Sequence, residues 1–293
     1  MKKLITLHDM INLEMVLEHV DGIIVGQDTY GTRLTHSFSD EELISIIHEA
    51  HERDKDVFLM ANQMMTDDQL EGFGSWLMQF QHQPITGVIV ADLGAIITSN
   101  EHGFQGRVIY NPETLATNDY DFNDLTRLHV MGVYAAKEIT LSDLTRIGTH
   151  KQVKMFMVGH GHLNMFYSKR QLIQNYMDFL AEPTRFHGKQ NLTLIEEHRK
   201  EEPYPILEDD AGTHVFRRHV MHVINHLDEL SGWLDYMIID TLFKDDRYGA
   251  LVGQMYRYRD VDLMKRIQED YHETWDEGFF DKKTIYKGKG GEQ

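Results

Sequence analysis

The feature of this chain that most limits its fold is a regular alternation of short apolar runs with longer amphipathic stretches. Short apolar runs are typical of buried strands, and helical stretches between them indicate βα units around a parallel sheet. Eight such runs are present, so the sequence predicts eight strands. The predicted strands are Leu4–Thr6, Gly22–Val25, Val57–Met60, Gly87–Val90, Val108–Tyr110, Gly132–Ala135, Val153–Val158 and Tyr236–Asp240.

Helical patterns fill most of the intervals between these strands. The pattern around Ser39 predicts a capping box, in which the Ser39 hydroxyl accepts the Glu42 amide and Glu42 reaches back. Eight strand and helix pairs over about 250 residues are what a closed (β/α)8 barrel requires. We therefore predict an α/β fold with a TIM-barrel-like core. The predicted helices are Met10–His19, Asp40–Arg53, Asp67–Gln81, Leu93–His102 and Thr140–Thr149.

The seventh connection is much longer than an ordinary βα loop. It contains an amphipathic stretch, Val220–Leu227, which favours a helix. We therefore predict a helical insertion between the seventh and eighth strands, covering the barrel mouth. The predicted organisation is a barrel core of residues 1–160 and 234–286, an insertion of residues 161–233 and a flexible tail of residues 287–293.

Two properties of the composition exclude classes of chemistry. The 293 residues include no cysteine, which excludes disulfides, thiol nucleophiles, thiolate zinc sites and iron–sulfur clusters ligated by this chain. The formal net charge of -18 argues against a protein that binds nucleic acid alone. No apolar run approaches the roughly 20 residues of a membrane span, and Met1–Leu17 lacks a signal-peptide pattern, so we expect a cytoplasmic protein without membrane contact.

In a barrel, the residues that follow the strands meet at one mouth. Here these positions are polar and of mixed charge, which suits a small anionic or hydroxylated ligand. The alternative is that the basic residues only form ion pairs with their neighbours. The predicted binding residues are Arg33, Asn111, Glu113, Lys137, His160, Ser168 and Arg170.

His160 and His162 raise the question of a metal site. On a continuous strand, the two imidazoles would share a face and could chelate a metal with a carboxylate such as Asp92 or Asp240. Glycines flank His160, which favours a turn, so we interpret the histidines as hydrogen-bonding groups and predict no metal site. Phosphate-binding glycine motifs and the Gly-x-Ser-x-Gly elbow are absent.

The segment from His160 to Arg170 resembles the signature of the collagenase-like peptidase family, U32. That pattern runs His-Gly-Ser/Ala-Leu/Met-Cys, followed by a Tyr-Ser pair and a second Cys. The resemblance extends over nearly the whole chain and implies a barrel-type core. Further matching segments are Gly26-x-x-x-Tyr30-Gly31-x-Arg33, Asn111-Pro112-Glu113-Thr114, Ala136-Lys137-Glu138-Ile139-Thr140, Pro203-Tyr204-Pro205, Asp209-x-x-Gly212-Thr213-His214 and Gly278-Phe279-Phe280.

The chain departs from the family pattern at the cysteines, which hold an iron–sulfur cluster in many members. Asn164 and Gln171 occupy the two signature positions, and the downstream pair aligns near Lys200 and on His222. The resemblance therefore implies a member without its own cluster.

The family name implies proteolysis, whereas its better-understood branches hydroxylate tRNA, ribosomal RNA or ubiquinone, several as pairs of related proteins. This chain is most similar to the short, cysteine-poor member of the bacterial pair that forms 5-hydroxyuridine in tRNA. The resemblance implies a cluster-free subunit that acts with a cysteine-bearing homologue, reaches tRNA through the complex and has prephenate as a co-substrate. The alternatives are a U32-type peptidase and a non-catalytic scaffold with a vestigial mouth. Whether this chain is itself an enzyme stays open, and no catalytic residue is assigned.

Overall fold

A computed structural model describes residues 1–183 and 186–282, so the predicted tail at residues 287–293 and the end of the predicted core, residues 283–286, lie outside the described residues. The strands in the described part are β1 (Lys2–Thr6), β2 (Gly22–Gly26), β3 (Asp56–Ala61), β4 (Gly87–Val90), β5 (Val108–Tyr110), β6 (Gly132–Tyr134), β7 (Lys154–Ser168), β8 (Leu192–Glu196), β9 (Arg199–Asp209), β10 (Gly212–His222), β11 (Tyr236–Ile239) and β12 (Trp275–Asp276).

The helices begin with side-chain caps where the sequence predicts them. Ser39 Oγ accepts a hydrogen bond from the Glu42 amide at 3.3 Å, and Glu42 Oε2 accepts one from the Ser39 amide at 2.8 Å. None of the described helices is long and apolar enough to cross a bilayer. These helices are α1 (Leu13–Leu17), α2 (Asp40–Glu52), α3 (Asp67–Leu77), α4 (Leu93–Ser99), α5 (Asp119–Asp124), α6 (Leu141–His150), α7 (Leu172–Phe179), α8 (Leu227–Ser231), α9 (Asp246–Tyr258) and α10 (Val261–Asp270).

Eight parallel strands close into a barrel, which confirms the predicted TIM-barrel-like core. Strands β1 to β7 pair in order, and β11 joins β7 to β1. The closing pairs are parallel, with Tyr236 opposite Phe156 on one side and Lys2 on the other. All eight predicted strands therefore occur, seven of them within a few residues of their predicted bounds, whereas β7 continues ten residues past its predicted end at Val158.

Side chains fill the interior of the barrel below its mouth. The rings of Phe156 and Tyr236 stack at 4.5 Å, and Phe58 meets both edge-on. Side chains of this size leave open space only at the end where the strands finish. The buried interior residues are Leu4, Ile24, Phe58, Ile89, Ile109, Tyr134, Phe156, Tyr236 and Ile238.

The insertion occurs where it is predicted, but the expectation that it is helical is wrong. Strand β7 continues beyond the barrel to Ser168 and pairs antiparallel with β10, which is followed across the sheet by β9 and β8. The stretch Val220–Leu227, predicted as a helix, is the end of β10 followed by a short turn of helix. Its β-branched residues suit a strand, and the ladder to β7 overrides its helical periodicity. The predicted boundary at residues 160 and 161 falls inside β7.

A β-bulge at Gly159 lies where β7 leaves the barrel. Val158 is opposite Ile238, but His160 rather than Gly159 is opposite Ile239. Two residues further, Gly161 has φ of +127°, and a Cβ there would lie 2.4 Å from the Asp240 carbonyl oxygen. A bulge of this kind reverses which face the following side chains occupy. The turn predicted from the glycines is therefore a bulge within a continuous strand.

Candidate functional site

A narrow cavity of about 40 Å³ lies at the carboxyl end of the barrel strands. By volume it could hold roughly three water molecules. Its wall combines residues that follow the strands with residues of β7 beyond the bulge. The polar side chains in this wall are Thr6, Thr32, Arg33, Asn62, Asn111, Glu113, Tyr134, Lys137, His162, Asn164 and Asp240.

Three charged side chains form the centre of this site. Glu113 accepts hydrogen bonds from Arg33 Nη2 on one carboxylate oxygen and from Lys137 Nζ on the other. The three side chains are only 9 to 18% exposed. Burial alone would raise the pKa of Glu113, but the adjacent guanidinium and ammonium lower it to about 2. The cluster therefore carries two positive charges and one negative charge at neutral pH.

Left-handed backbone at two of these residues is fixed by neighbouring side chains. Arg33 has φ of +56° and Glu113 of +62°, conformations that cost non-glycine residues about 1–3 kcal/mol each. The Arg33 amide donates to Asp209 Oδ2 at 3.0 Å, and the Glu113 amide donates to Asn111 Oδ1 at 3.2 Å. The surrounding side chains thus hold the ion cluster in one arrangement.

The insertion supplies a second layer of support through His214. Arg33 Nη1 donates to His214 Nδ1 at 3.3 Å, so the ring proton is on Nε2, which lies 2.9 Å from Thr32 Oγ1. Thr32 in turn donates to Asp209 Oδ2 at 2.7 Å. His214 stacks on Tyr167 with ring centroids 4.4 Å apart. The barrel and the insertion therefore build the site together.

Of the predicted binding residues, the structure brings Arg33, Asn111, Glu113 and Lys137 together around one cavity. The expected position of His160 at the mouth is wrong. Its Nε2 lies 2.8 Å from Tyr248 Oη, and Trp275 packs edge-on against its ring, so it lies between β7 and α9 outside the barrel. The bulge at Gly159 turns it there.

Ser168 and Arg170 lie at the far end of β7, away from the lining of the cavity. Ser168 Oγ accepts a hydrogen bond from the Arg170 amide at 3.2 Å. The structure therefore does not bring these two predicted residues to the other four, and a binding role for them stays a prediction.

Seven of the eleven polar cavity residues were absent from the predicted binding set, and three of them, Tyr134, Asp240 and His162, are ionisable side chains. Tyr134 is the last residue of β6 rather than one that follows it, and its buried hydroxyl has no hydrogen-bond partner among the described residues. Asp240 is partly buried, and its desolvation raises its pKa. His162 also lines the cavity, and its Nδ1 donates to the Arg217 carbonyl at 2.8 Å. Alternation along β6 was the available signal for Tyr134, whereas no pattern announced the bulge that takes His160 out of the mouth.

The iron–sulfur cluster of the wider family does not fit the residues present. The Asn164 amide nitrogen donates to the Phe166 carbonyl at 3.1 Å, and Gln171 Nε2 donates to the Asp209 carbonyl at 3.4 Å. The Asn164 amide also donates to the Val215 carbonyl of β10 at 3.4 Å, and neither amide supplies a thiolate. His222 is opposite His160, which precedes Asn164 by four residues along β7. His222 and Asn164 are therefore about 13 Å apart along the strand direction. The aligned positions do not form one ligand set.

Five buried or partly buried histidines predict a fall in stability below pH 6.5. Burial lowers the pKa of His8, His160, His162, His214 and His222 below 6.5. The unfolded chain then binds protons that the folded chain does not, so stability is lost as the pH falls. Each group contributes at most about 1.4 kcal/mol per pH unit. Urea unfolding between pH 7.5 and 5.5 measures this slope, and a flat profile would contradict it.

Comparison with known proteins places this architecture in a family. A profile of peptidase family U32 matches residues 9–284. The chain is 26% identical to tRNA hydroxylation protein P2 of Bacillus subtilis (strain 168), over 94% of this chain and 95% of that protein. It is 25% identical to an uncharacterized protease of Methanocaldococcus jannaschii, over 93% of this chain and 71% of that one.

Among solved structures, the U32 peptidase Mk0906 superposes with a TM-score of 0.52 at 14% sequence identity. The superposition covers 82% of this chain and 92% of that one, a likeness that concerns the fold alone. Because the family profile spans nearly the whole chain, this protein belongs to peptidase family U32.

Proposed function

We propose that this chain is a cluster-free subunit in the hydroxylation of tRNA wobble uridine to 5-hydroxyuridine, acting with a cysteine-bearing homologue. The observation that supports it most is the similarity to a tRNA hydroxylation protein along almost the full length of both chains. In this proposal the homologue supplies the redox chemistry, since this chain has no thiol. This chain contributes the barrel mouth.

The ion cluster fits the binding of an anionic small molecule, for which prephenate is the proposed co-substrate. Arg33 and Lys137 can each donate to a carboxylate, and Glu113 now occupies the position between them. A cavity of about 40 Å³ is far too small for a molecule of that size. In the proposed bound state, a ligand carboxylate therefore takes the place of the Glu113 side chain between the two cations.

Helix α7, in the insertion of this chain, offers a surface to which the partner protein can bind. None of the eight residues of α7 is buried. Its amide groups at Ile173 and Gln174 donate to the Glu208 carboxylate at 2.8 and 2.9 Å, which fixes one end of the helix. Tyr176 and Phe179 are 61% and 84% exposed. An apolar face on a chain of charge -18 suits a protein partner better than tRNA, which we propose is bound mainly through the homologue.

Deletion of the gene tests the proposed function. We expect the deletion, made together with any paralogue, to remove 5-hydroxyuridine and its derivatives from tRNA, since the partner would lack its second subunit. Mass spectrometry of tRNA nucleosides measures this. Unchanged levels of the modification in the deletion strain would refute the proposal.

A peptidase activity, which the family name implies, receives less support from the geometry. The hydroxyl of Ser168 accepts a hydrogen bond from the Arg170 amide, and no hydrogen bond joins it to a histidine in the part of the chain that the structure describes. An activated serine requires an adjacent general base. Cleavage of gelatin by the purified chain, lost on substitution of a cavity residue, would favour the peptidase.

A further inference from the structure

Three uncharged hydrogen-bond donors in the wall of the barrel-mouth cavity have no partner among residues 1–183 and 186–282. They are the side-chain amide nitrogens of Asn62 and Asn111 and the hydroxyl of Tyr134. These three side chains are only 2%, 6% and 3% exposed. Buried polar groups in proteins are normally hydrogen-bonded, because an unpaired one costs free energy. The three donors therefore indicate an acceptor inside the cavity.

Backbone amides fix the orientation of both asparagine side chains. Asn62 Oδ1 accepts a hydrogen bond from the Thr32 amide at 3.0 Å, and Asn111 Oδ1 accepts one from the Glu113 amide at 3.2 Å. A backbone amide can only donate, so the side-chain oxygen faces it and the side-chain nitrogen is the atom left unpaired. Because both side chains are buried in the cavity wall, a group that reaches these nitrogens lies in the cavity.

Tyr134 places its hydroxyl at the floor of the mouth. It is the last residue of β6, and its ring stacks on Phe156 in the barrel interior with centroids 5.5 Å apart. The charges that act on the hydroxyl are those of Asp240 and Glu113, which both line the cavity. Burial and these two carboxylates raise the pKa of Tyr134, so the phenol is neutral and keeps its proton. The hydroxyl is therefore a donor beside the ion cluster.

The other uncharged donors in the cavity wall are hydrogen-bonded within the protein. They are the hydroxyls of Thr6 and Thr32, the amide of Asn164 and Nδ1 of His162. Because the cavity has room for only about three water molecules, the groups around it approach the same few atoms of a ligand. Two cations and three unpaired, uncharged donors thus surround one small space.

We propose that the ligand of the barrel mouth is a 2-oxo acid. Its carboxylate lies between Arg33 and Lys137, and its adjacent carbonyl oxygen accepts hydrogen bonds from the set of uncharged donors. A carbonyl oxygen has lone pairs for these donors and no proton that would need an acceptor of its own. The position of the carboxylate rests on the proposed function, whereas the choice of a carbonyl group rests on the three unpaired donors.

Pyruvate and propionate are matched probes, because the two acids differ mainly in the carbonyl oxygen. In NMR titrations, we expect the wild type to bind pyruvate at least about tenfold more tightly than propionate, as two hydrogen bonds would provide. Tyr134→Phe removes one donor and should reduce this preference about three- to tenfold, with the affinity for propionate unchanged. Tyr236→Phe is the control and should keep the full preference, because the Tyr236 hydroxyl donates to Asp56 at the opposite end of the barrel.

Equal affinity of the wild type for the two acids would overturn the 2-oxo acid and leave the proposed function intact. An equal loss of affinity for both acids in Tyr134→Phe would also overturn it, since that pattern indicates a structural role. Binding of neither acid would contradict the proposed anion site, and this inference with it. Tyr134→Phe should unfold at the wild-type temperature or above, because the hydroxyl has no partner to lose. A lower unfolding temperature would count against an unpaired hydroxyl.

Discussion

Replacing Glu113 with glutamine is expected to lower the free energy of unfolding by about 3–5 kcal/mol. The substitution leaves Arg33 and Lys137 beside each other, about 10% exposed, without the carboxylate that neutralises them. Removing one partner from a buried ion cluster is costly because the remaining charges stay desolvated. Urea denaturation at pH 7.5 measures the change, and the slope with denaturant should not alter.

The variant Lys137→Gln is the matched comparison, because it leaves Glu113 paired with Arg33 and should cost clearly less than Glu113→Gln. A surface pair supplies the baseline. Arg127 and Asp124 are 69% and 63% exposed, so Asp124→Ala should change stability by no more than about 0.5 kcal/mol. Equal losses for Glu113→Gln and Lys137→Gln would show that the two cations do not depend on the shared carboxylate.

The barrel was predictable because its signals are local. Each strand is a short apolar run such as Gly87–Val90, and each capping box, such as Ser39 with Glu42, lies within four residues. Once eight such units are recognised, closure follows from the right-handed connections between parallel strands. The convergence of Arg33, Asn111, Glu113 and Lys137 follows from the same rule, since all four come after strand ends.

The insertion was mispredicted because its structure depends on a distant strand. The residues of β10 pair with β7 more than 40 positions away, as Val220 does with His162. Helical periodicity in Val220–Leu227 is a weak local preference, which a long antiparallel ladder outweighs. No pattern within Val220–Leu227 indicates that this segment pairs with the extension of barrel strand β7.

The displacement of His160 from the mouth has a similar origin. Strict alternation after Phe156 and Val158 would direct both histidines into the barrel. The extra residue at Gly159 reverses the face for His160, and the left-handed Gly161 sits against the Asp240 backbone. Bulges are often found beside active sites, where they redirect a side chain. The sequence showed the glycines but not their effect.

The second large effect is expected from Lys137→Gln, on function rather than on stability. The variant keeps one cation with Glu113 but removes the second donor for a ligand carboxylate. A charge-assisted hydrogen bond contributes about 1.5–3 kcal/mol, so binding of the anion should weaken at least about tenfold. Formation of 5-hydroxyuridine should fall accordingly. Lys265→Gln, at a lysine 64% exposed on α10, is the matched control and should have no effect.

The most direct measurement is the amount of 5-hydroxyuridine in tRNA from a strain that lacks this chain and any paralogue. The strain is complemented in turn with the wild type, Lys137→Gln and Lys265→Gln, each at the same protein level. We predict full modification with the wild type and with Lys265→Gln, and clearly reduced modification with Lys137→Gln. Full modification with Lys137→Gln would contradict a role for the barrel mouth in tRNA hydroxylation.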